Sequence, residues 1–196
     1  MSDEPVGDGR DLLRLAIEAH GGDERWRALD GVELRYRAGG LAFAMKMRGL
    51  RPKPYDVRVD AREPRAVLRS FPAAGRRGVL DGHAVRIETD AGDVVASRER
   101  PRLRLRWDDL DFLYFSAYAI WGYATAPFHL TRAGRHDYTA EPFGQWAKAA
   151  HYSYDHHEFD GLVFPTRRRV HPRRGNGRPL RAVTIIAIEL ESVRAG

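Results

Sequence analysis

Residues 108–125 read DDLDFLYFSAYAIWGYAT. Asp108 and Asp109 stand at the start, where carboxylates cap free backbone N–H groups and face the positive end of a helix dipole. Beyond them the segment is apolar on nearly every side. Leu110, Phe112, Leu113, Tyr114, Phe115, Tyr118, Ile120, Trp121 and Tyr123 cover most directions of a helical wheel. A helix of this kind must be covered over most of its surface. The apolar run from Phe112 to Ala126 is interrupted by Ser116, Gly122 and Thr125. It is shorter than the ~20 residues that a membrane-spanning helix needs. The cover is therefore expected to be protein, and the flanking sequence supplies mainly strands.

Upstream, Leu12, Leu13, Ala16, Ile17 and His20 share one face of a helix over Asp11–His20. Gly21-Gly22 stops it, and Asp23 caps a second short helix that carries Trp26 and Leu29. The period then changes to two. Val32, Leu34 and Tyr36 alternate with charged residues, and Leu41, Phe43, Met45 and Met47 alternate again after Gly39-Gly40, which predicts a hairpin. Further strands are expected at 55–59, 65–71, 85–89, 93–97 and 103–107, separated by turns at Pro52, Pro54, Pro64, Pro72, Asp81-Gly82 and Ala91-Gly92. After the central helix, Tyr152, Tyr154 and His156 alternate, Asp160-Gly161 turns the chain, and 162–171 returns. A β-branched run over 181–193 closes it. The expectation is an α+β domain spanning 1–196, its first ten residues flexible, with a large curved antiparallel sheet wrapping the central helix.

The chain has 196 residues and a formal net charge of +6. Thirty of its 33 basic residues are Arg, and it has no Cys. Disulfides, thiolate metal sites and cysteine nucleophiles are thereby excluded. The charge is uneven along the chain: zero over 1–60, +5 over 61–107, −5 over 108–160 and +6 over 161–196. Arg98, Arg100, Arg102, Arg104 and Arg106 recur at every second residue, and Arg167-Arg168-Arg169 form a second group. Because the aromatic residues do not interleave with the Arg row as a stacking platform would, nucleic acid is not the expected partner. The arginines read as the solvated outside of the sheet. With no basic and apolar leader in Met1–Pro5, a cytoplasmic location is expected.

No GxxxxGK[ST], GxGxxG, GxSxG or HExxH occurs, so nucleotide cradles and common hydrolase or zincin sites have no support. The densest polar group is His151, Asp155, His156, His157, Glu158 and Asp160, with His136-Asp137 near it in sequence. Imidazole and carboxylate suit zinc or iron. In a regular strand His151, Asp155 and His157 would share a face. An enzyme built on His136, His151, Asp155 and His157, with or without a metal, is the alternative reading. Neither a cofactor nor a metal is called for by any pattern. The leading reading places function in the aromatic interior, where apolar walls could hold a ligand.

Two strings extend this. EAHGGDERWRALDGVELRYRAGG at Glu18–Gly40 joins helix, Gly-Gly stop, Trp and first strand, and HYSYDHHEFDGLVFPTRRRV at His151–Val170 joins strand, Asp-Gly turn and return strand. Together they resemble uncharacterised bacterial proteins similar to the lipoprotein-carrier (LolA/LppX-like) superfamily. The resemblance implies an unclosed half-barrel with the N-terminal and central helices on its concave side. It also implies binding of a hydrophobic small molecule or lipid between sheet and helix, and no catalytic residue. The expected ligand-binding residues are Tyr36, Phe43, Met45, Phe115, Tyr118, Trp121, Tyr152 and Tyr154. The short stretch over 129–135 predicts a half-barrel open at that edge.

Overall fold

A computed structural model describes residues 9–46, 53–99, 101, 107–132 and 149–196. Among the described residues the helices are α1 (Gly9–Ala19), α2 (Asp23–Arg27), α3 (Leu41–Met45) and α4 (Asp109–Thr125), followed by a 3₁₀ turn at Phe128–Arg132. The strands are β1 (Gly31–Gly39), β2 (Lys53–Asp60), β3 (Arg65–Arg69), β4 (Arg76–Asp81), β5 (Ala84–Thr89), β6 (Val94–Arg98), β7 (Ala149–Phe159), β8 (Leu162–Pro172) and β9 (Ile186–Ala195). They form one antiparallel sheet in the order β6-β5-β4-β3-β2-β1-β9-β8-β7. Edges β6 and β7 do not pair with each other among the described residues, so the α+β half-barrel is unclosed.

Alternation explains most of the sheet. In β1, Val32, Leu34 and Tyr36 point inward and are buried, while Arg35 and Arg37 point outward. In β2, Val57 and Val59 are buried and Arg58 lies outside. Inward residues of β3 and β5 continue the pattern with Ala66, Leu68, Val85 and Ile87.

α4 is the core's centre. Asp108 caps it by accepting a hydrogen bond from the Asp111 N–H at 2.9 Å. Arg98 at the end of β6 holds the same turn, bonding Asp108 Oδ2 at 2.6 Å and the buried Asp111 Oδ1 at 2.5 Å. That hydrogen bond to Arg98, helped by the backbone N–H of Asp111, lowers the Asp108 pKa to about 2. Phe112 packs against Phe43, Tyr55 and Phe71. Phe115 meets Trp107 and Phe43. Trp121 is fully enclosed and donates its Nε1–H to the Asp60 carbonyl at 3.0 Å. Each such side chain contributes about 1.5–3 kcal/mol by leaving water. Gly78 of β4 lets the helix come close: a Cβ there would lie 2.5 Å from Leu113 Cδ1.

Two expectations fail. The second arm of the expected hairpin, Leu41 to Met45, is the short helix α3. Both edges of β1 are already taken by β2 and β9, so no third strand can pair with it. The N–H groups of Leu41 and Ala42 instead donate to the carbonyls of Thr184 and Ile185. Helical turning buries the adjacent Ala42 and Phe43 and leaves Leu41 and Met45 outside. The second omission is β4, RRGVLD, whose apolar residues do not alternate. Val79 and Leu80 lie on opposite faces and both are buried. The expected strand at 103–107 falls largely outside the described residues, as do Met47, His136, Asp137 and Tyr138.

Candidate functional site

α4 lies over β2–β6. The other half of the concave face, made by β1, β9, β8 and β7, meets the last turns of that helix at Ile120, Tyr123 and Ala124. Between them runs a crevice, open on one side, lined by Leu34 of β1, Ile120, Tyr123 and Ala124 of α4, Phe164, Pro165 and Arg168 of β8, and Ile188 and Leu190 of β9. Its volume is about 20 Å³. That is the room of roughly one water molecule. Its walls are apolar, and its polar groups come from α4 and β8.

Those polar groups are interlocked. The Arg168 guanidinium lies 4.4 Å from the centre of the Tyr123 ring and donates to the Tyr123 carbonyl at 3.3 Å. The Tyr123 hydroxyl and His151 Nδ1 are 3.3 Å apart. Burial raises the Tyr123 pKa. Burial, with the Arg168 charge second, lowers the pKa of His151, which favours neutral imidazole as the acceptor for Tyr123. One side of the crevice thus presents a cation, a phenol and a neutral imidazole beside an apolar slot.

The expected ligand residues are distributed differently. Tyr36, Phe43, Phe115 and Trp121 are buried in the packed core, and Tyr118 is half-buried against Trp121. Met45 is 56% exposed because α3 turns it out. Tyr152 and Tyr154 lie on the outer face. His151 meets α4, so its strand neighbour Tyr152 must point the other way. There Arg181 lies over Tyr152 and Arg167 over Tyr154. None of the eight lines the crevice. Alternation divides a strand into two faces without saying which is inside, and both faces of β7 carry aromatic rings.

The His/Asp group does not converge either. Asp155 has φ 53°, which breaks the alternation on which a shared face depended. Its carboxylate pairs with Arg167 at 3.2 Å, whereas His151 lies on the Arg168 side. His157 is exposed, and no set of three potential metal ligands comes together among the described residues.

The outer arginines are largely ion-paired: Arg35 with Asp56 and Glu191, Arg37 with Glu191, Arg69 with Glu33, and Arg169 with Glu189. Arg98, expected on the solvated outside of the sheet, is the clamp on α4. Arg100, Arg102, Arg104 and Arg106 lie outside the described residues. Within the described residues, no helix is long and apolar enough to cross a membrane.

No protein-family model matches the chain, and no curated protein matches it. Among solved structures it is similar to a LolA superfamily protein from Nitrosomonas europaea, at 12% identity over 91% of this chain and 93% of that one, with a TM-score of 0.44.

Proposed function

We propose that the chain, acting as one α+β domain, binds a hydrophobic small molecule or the acyl part of a lipid. The site is the crevice between the last turns of α4 and β1, β9 and β8. The observation that supports this reading is the crevice itself: apolar walls from four separate elements, open on one side, with Arg168, Tyr123 and His151 positioned to meet a polar end.

At about 20 Å³ the crevice is too narrow for an acyl chain. Admitting one requires the end of α4 to swing away from β8 and β9. The first turn of the helix is clamped by Arg98 and Leu113 sits on Gly78, while Tyr123 near its end meets β8 and β7 through Arg168 and His151; opening parts these contacts while Trp121 stays on Asp60 as the pivot. Binding then selects a minor open state, which weakens apparent affinity in proportion to that state's population.

Fluorescence titration with cis-parinaric acid tests the reading. Saturable binding near one molecule per chain is expected, at least tenfold weaker in Leu190→Trp, which fills the crevice. Circular dichroism checks that the variant is folded. No saturable binding, or equal binding by folded Leu190→Trp, overturns the proposal.

A further inference from the structure

The outer, convex face carries a second depression of about 300 Å³, remote from the crevice and with different chemistry. Its floor follows from the strand register. Arg58 of β2 stands opposite Val67 of β3, Val67 opposite Val79 of β4, and Val79 opposite Arg86 of β5. All four side chains lie on the outer face in one cross-strand row. Two valines therefore form an apolar floor between two arginines whose Cα atoms are roughly 14 Å apart at ordinary strand spacing. Long guanidinium arms can lean over a floor of that width.

The two arginines differ. Arg86 is bonded to Glu88, a buried carboxylate that Arg77 also holds at 2.6 Å. Those hydrogen bonds outweigh burial and lower the Glu88 pKa, so the trio stays charged and Arg86 stays fixed. Arg58 has no carboxylate partner among the described residues, although Arg35, Arg37, Arg65, Arg69, Arg77 and Arg86 on the same face each have one. Glu33, directly opposite Arg58 in the register, bonds Arg69 instead. Yet Arg58 is not loose in solvent. Its guanidinium lies over Gly31, where a Cβ would approach its Cζ to 3.4 Å.

We propose that this depression is a binding site for a small organic carboxylate, with the carboxylate on Arg58 and a flat apolar body on Val67 and Val79 under the arm of Arg86. Charge complementarity selects this class. A guanidinium left without a carboxylate matches one carboxylate in bidentate geometry. Asp30, Asp60 and Asp81 stand on the same rim. Asp81 is paired with Arg65 at 2.8 Å, and Asp60 accepts the N–H groups of Arg62 and Glu63. Three carboxylates there repel a doubly charged phosphate but tolerate a single negative charge close to Arg58. The apolar floor favours a ligand with a hydrocarbon body over an inorganic anion.

The test is an NMR titration of the full chain with 2-naphthoate, observing arginine Nε–Hε groups and backbone amides, with inorganic phosphate in parallel. Saturable shifts at Arg58, Val67 and Val79 are expected, with a dissociation constant of about 1 mM or tighter. Affinity should fall at least tenfold in Arg58→Gln, and also in Val67→Glu, which places a negative charge on the floor. Phosphate should produce no saturable shift at these positions. Shifts that do not saturate, that persist in Arg58→Gln, or that phosphate reproduces would overturn the proposal. Shifts at Phe164, Ile188 and Leu190 report the crevice separately, so the two sites succeed or fail independently.

Discussion

The concave face of the half-barrel has two halves built to different standards. Over β2–β6, α4 is seated as a solid core. Gly78 admits Leu113 at van der Waals range, Phe112 is surrounded by three aromatic rings, and Arg98 clamps the first turn. Over β1, β9, β8 and β7 the same helix only approaches, leaving a narrow apolar crevice with Arg168, Tyr123 and His151 beside it. The first half is where stability resides. The second is where a ligand could enter without dismantling the core. If this division is real, substitutions of similar size in the two halves should have very different effects on folding.

The largest effect is expected at Trp121, which is fully buried and hydrogen-bonded to Asp60 of β2. Trp121→Ala should cost about 4 kcal/mol in a urea unfolding experiment, the upper range for emptying an aromatic core site. Leu113→Ala in the same half should cost about 3 kcal/mol, and Leu190→Ala, in the crevice half and partly exposed, less than half of that. Equal costs would abolish the distinction.

Next is Arg98→Ala. It removes the guanidinium from Asp111, a carboxylate that is fully buried. Removing one partner of a buried pair costs about 3 kcal/mol or more. Arg168→Ala in the other half should cost less in stability but alter ligand affinity. Reversal of that order would mean that the end of α4, not its start, is the anchor.

The same division governs what is legible in the sequence. α4 is legible because a segment apolar on all sides, with aspartates at its start and too short to span a membrane, fits only the centre of a core. β1, β5 and β8 are legible because one face of each is buried. β4 is not, because Val79 is sheltered on the outer face by flanking arginines and interrupts the alternation. α3 reads as a strand because Leu41, Phe43 and Met45 alternate, while the occupation of both β1 edges is a long-range fact. The crevice is invisible for the same reason. Leu34, Ile120, Phe164 and Ile188 come from elements far apart in sequence and meet only through the β1-β9-β8 order. The charge pattern is legible only in part: Arg167 and Arg169 lie outside the sheet with carboxylates, but Arg98 clamps α4 and Arg168 lies in the crevice.

Acid should separate the halves a third time. Asp108 titrates near 2 when folded and near 3.8 otherwise, so its contribution is complete above about pH 4 and disappears as pH falls through about 2. His151 works at milder pH. Its folded pKa is lowered below 6.5, so the unfolded chain binds the proton more readily, and the His151 contribution is lost as pH falls below 6.5. Between pH 7 and 5 the Tyr123–His151 contact should therefore loosen while the Arg98 clamp holds. Hydrogen exchange of β7 and the last turn of α4 should accelerate over that range, with the first turn of α4 unchanged, and His151→Gln should remove the pH dependence. Uniform acceleration along α4 would show one cooperative body.

The smallest effect concerns the seam that joins the halves. β1 pairs with β9 across a register shift at Arg35/Tyr36, and on the outer face Arg35 bonds both Asp56 at 2.9 Å and Glu191 at 3.1 Å. Arg37 bonds the same Glu191. These side chains are about half exposed, and exposed ion pairs contribute little against solvent and side-chain entropy. Arg35→Ala should cost about 0.5 kcal/mol, and roughly 1 M salt should abolish most of that difference by screening. Backbone pairing and the buried Leu34, Tyr36 and Ile188 would then hold the seam. A loss well above 1 kcal/mol that survives high salt would place the junction's stability in its charges, and the two halves would be coupled through the outer face and not through the core.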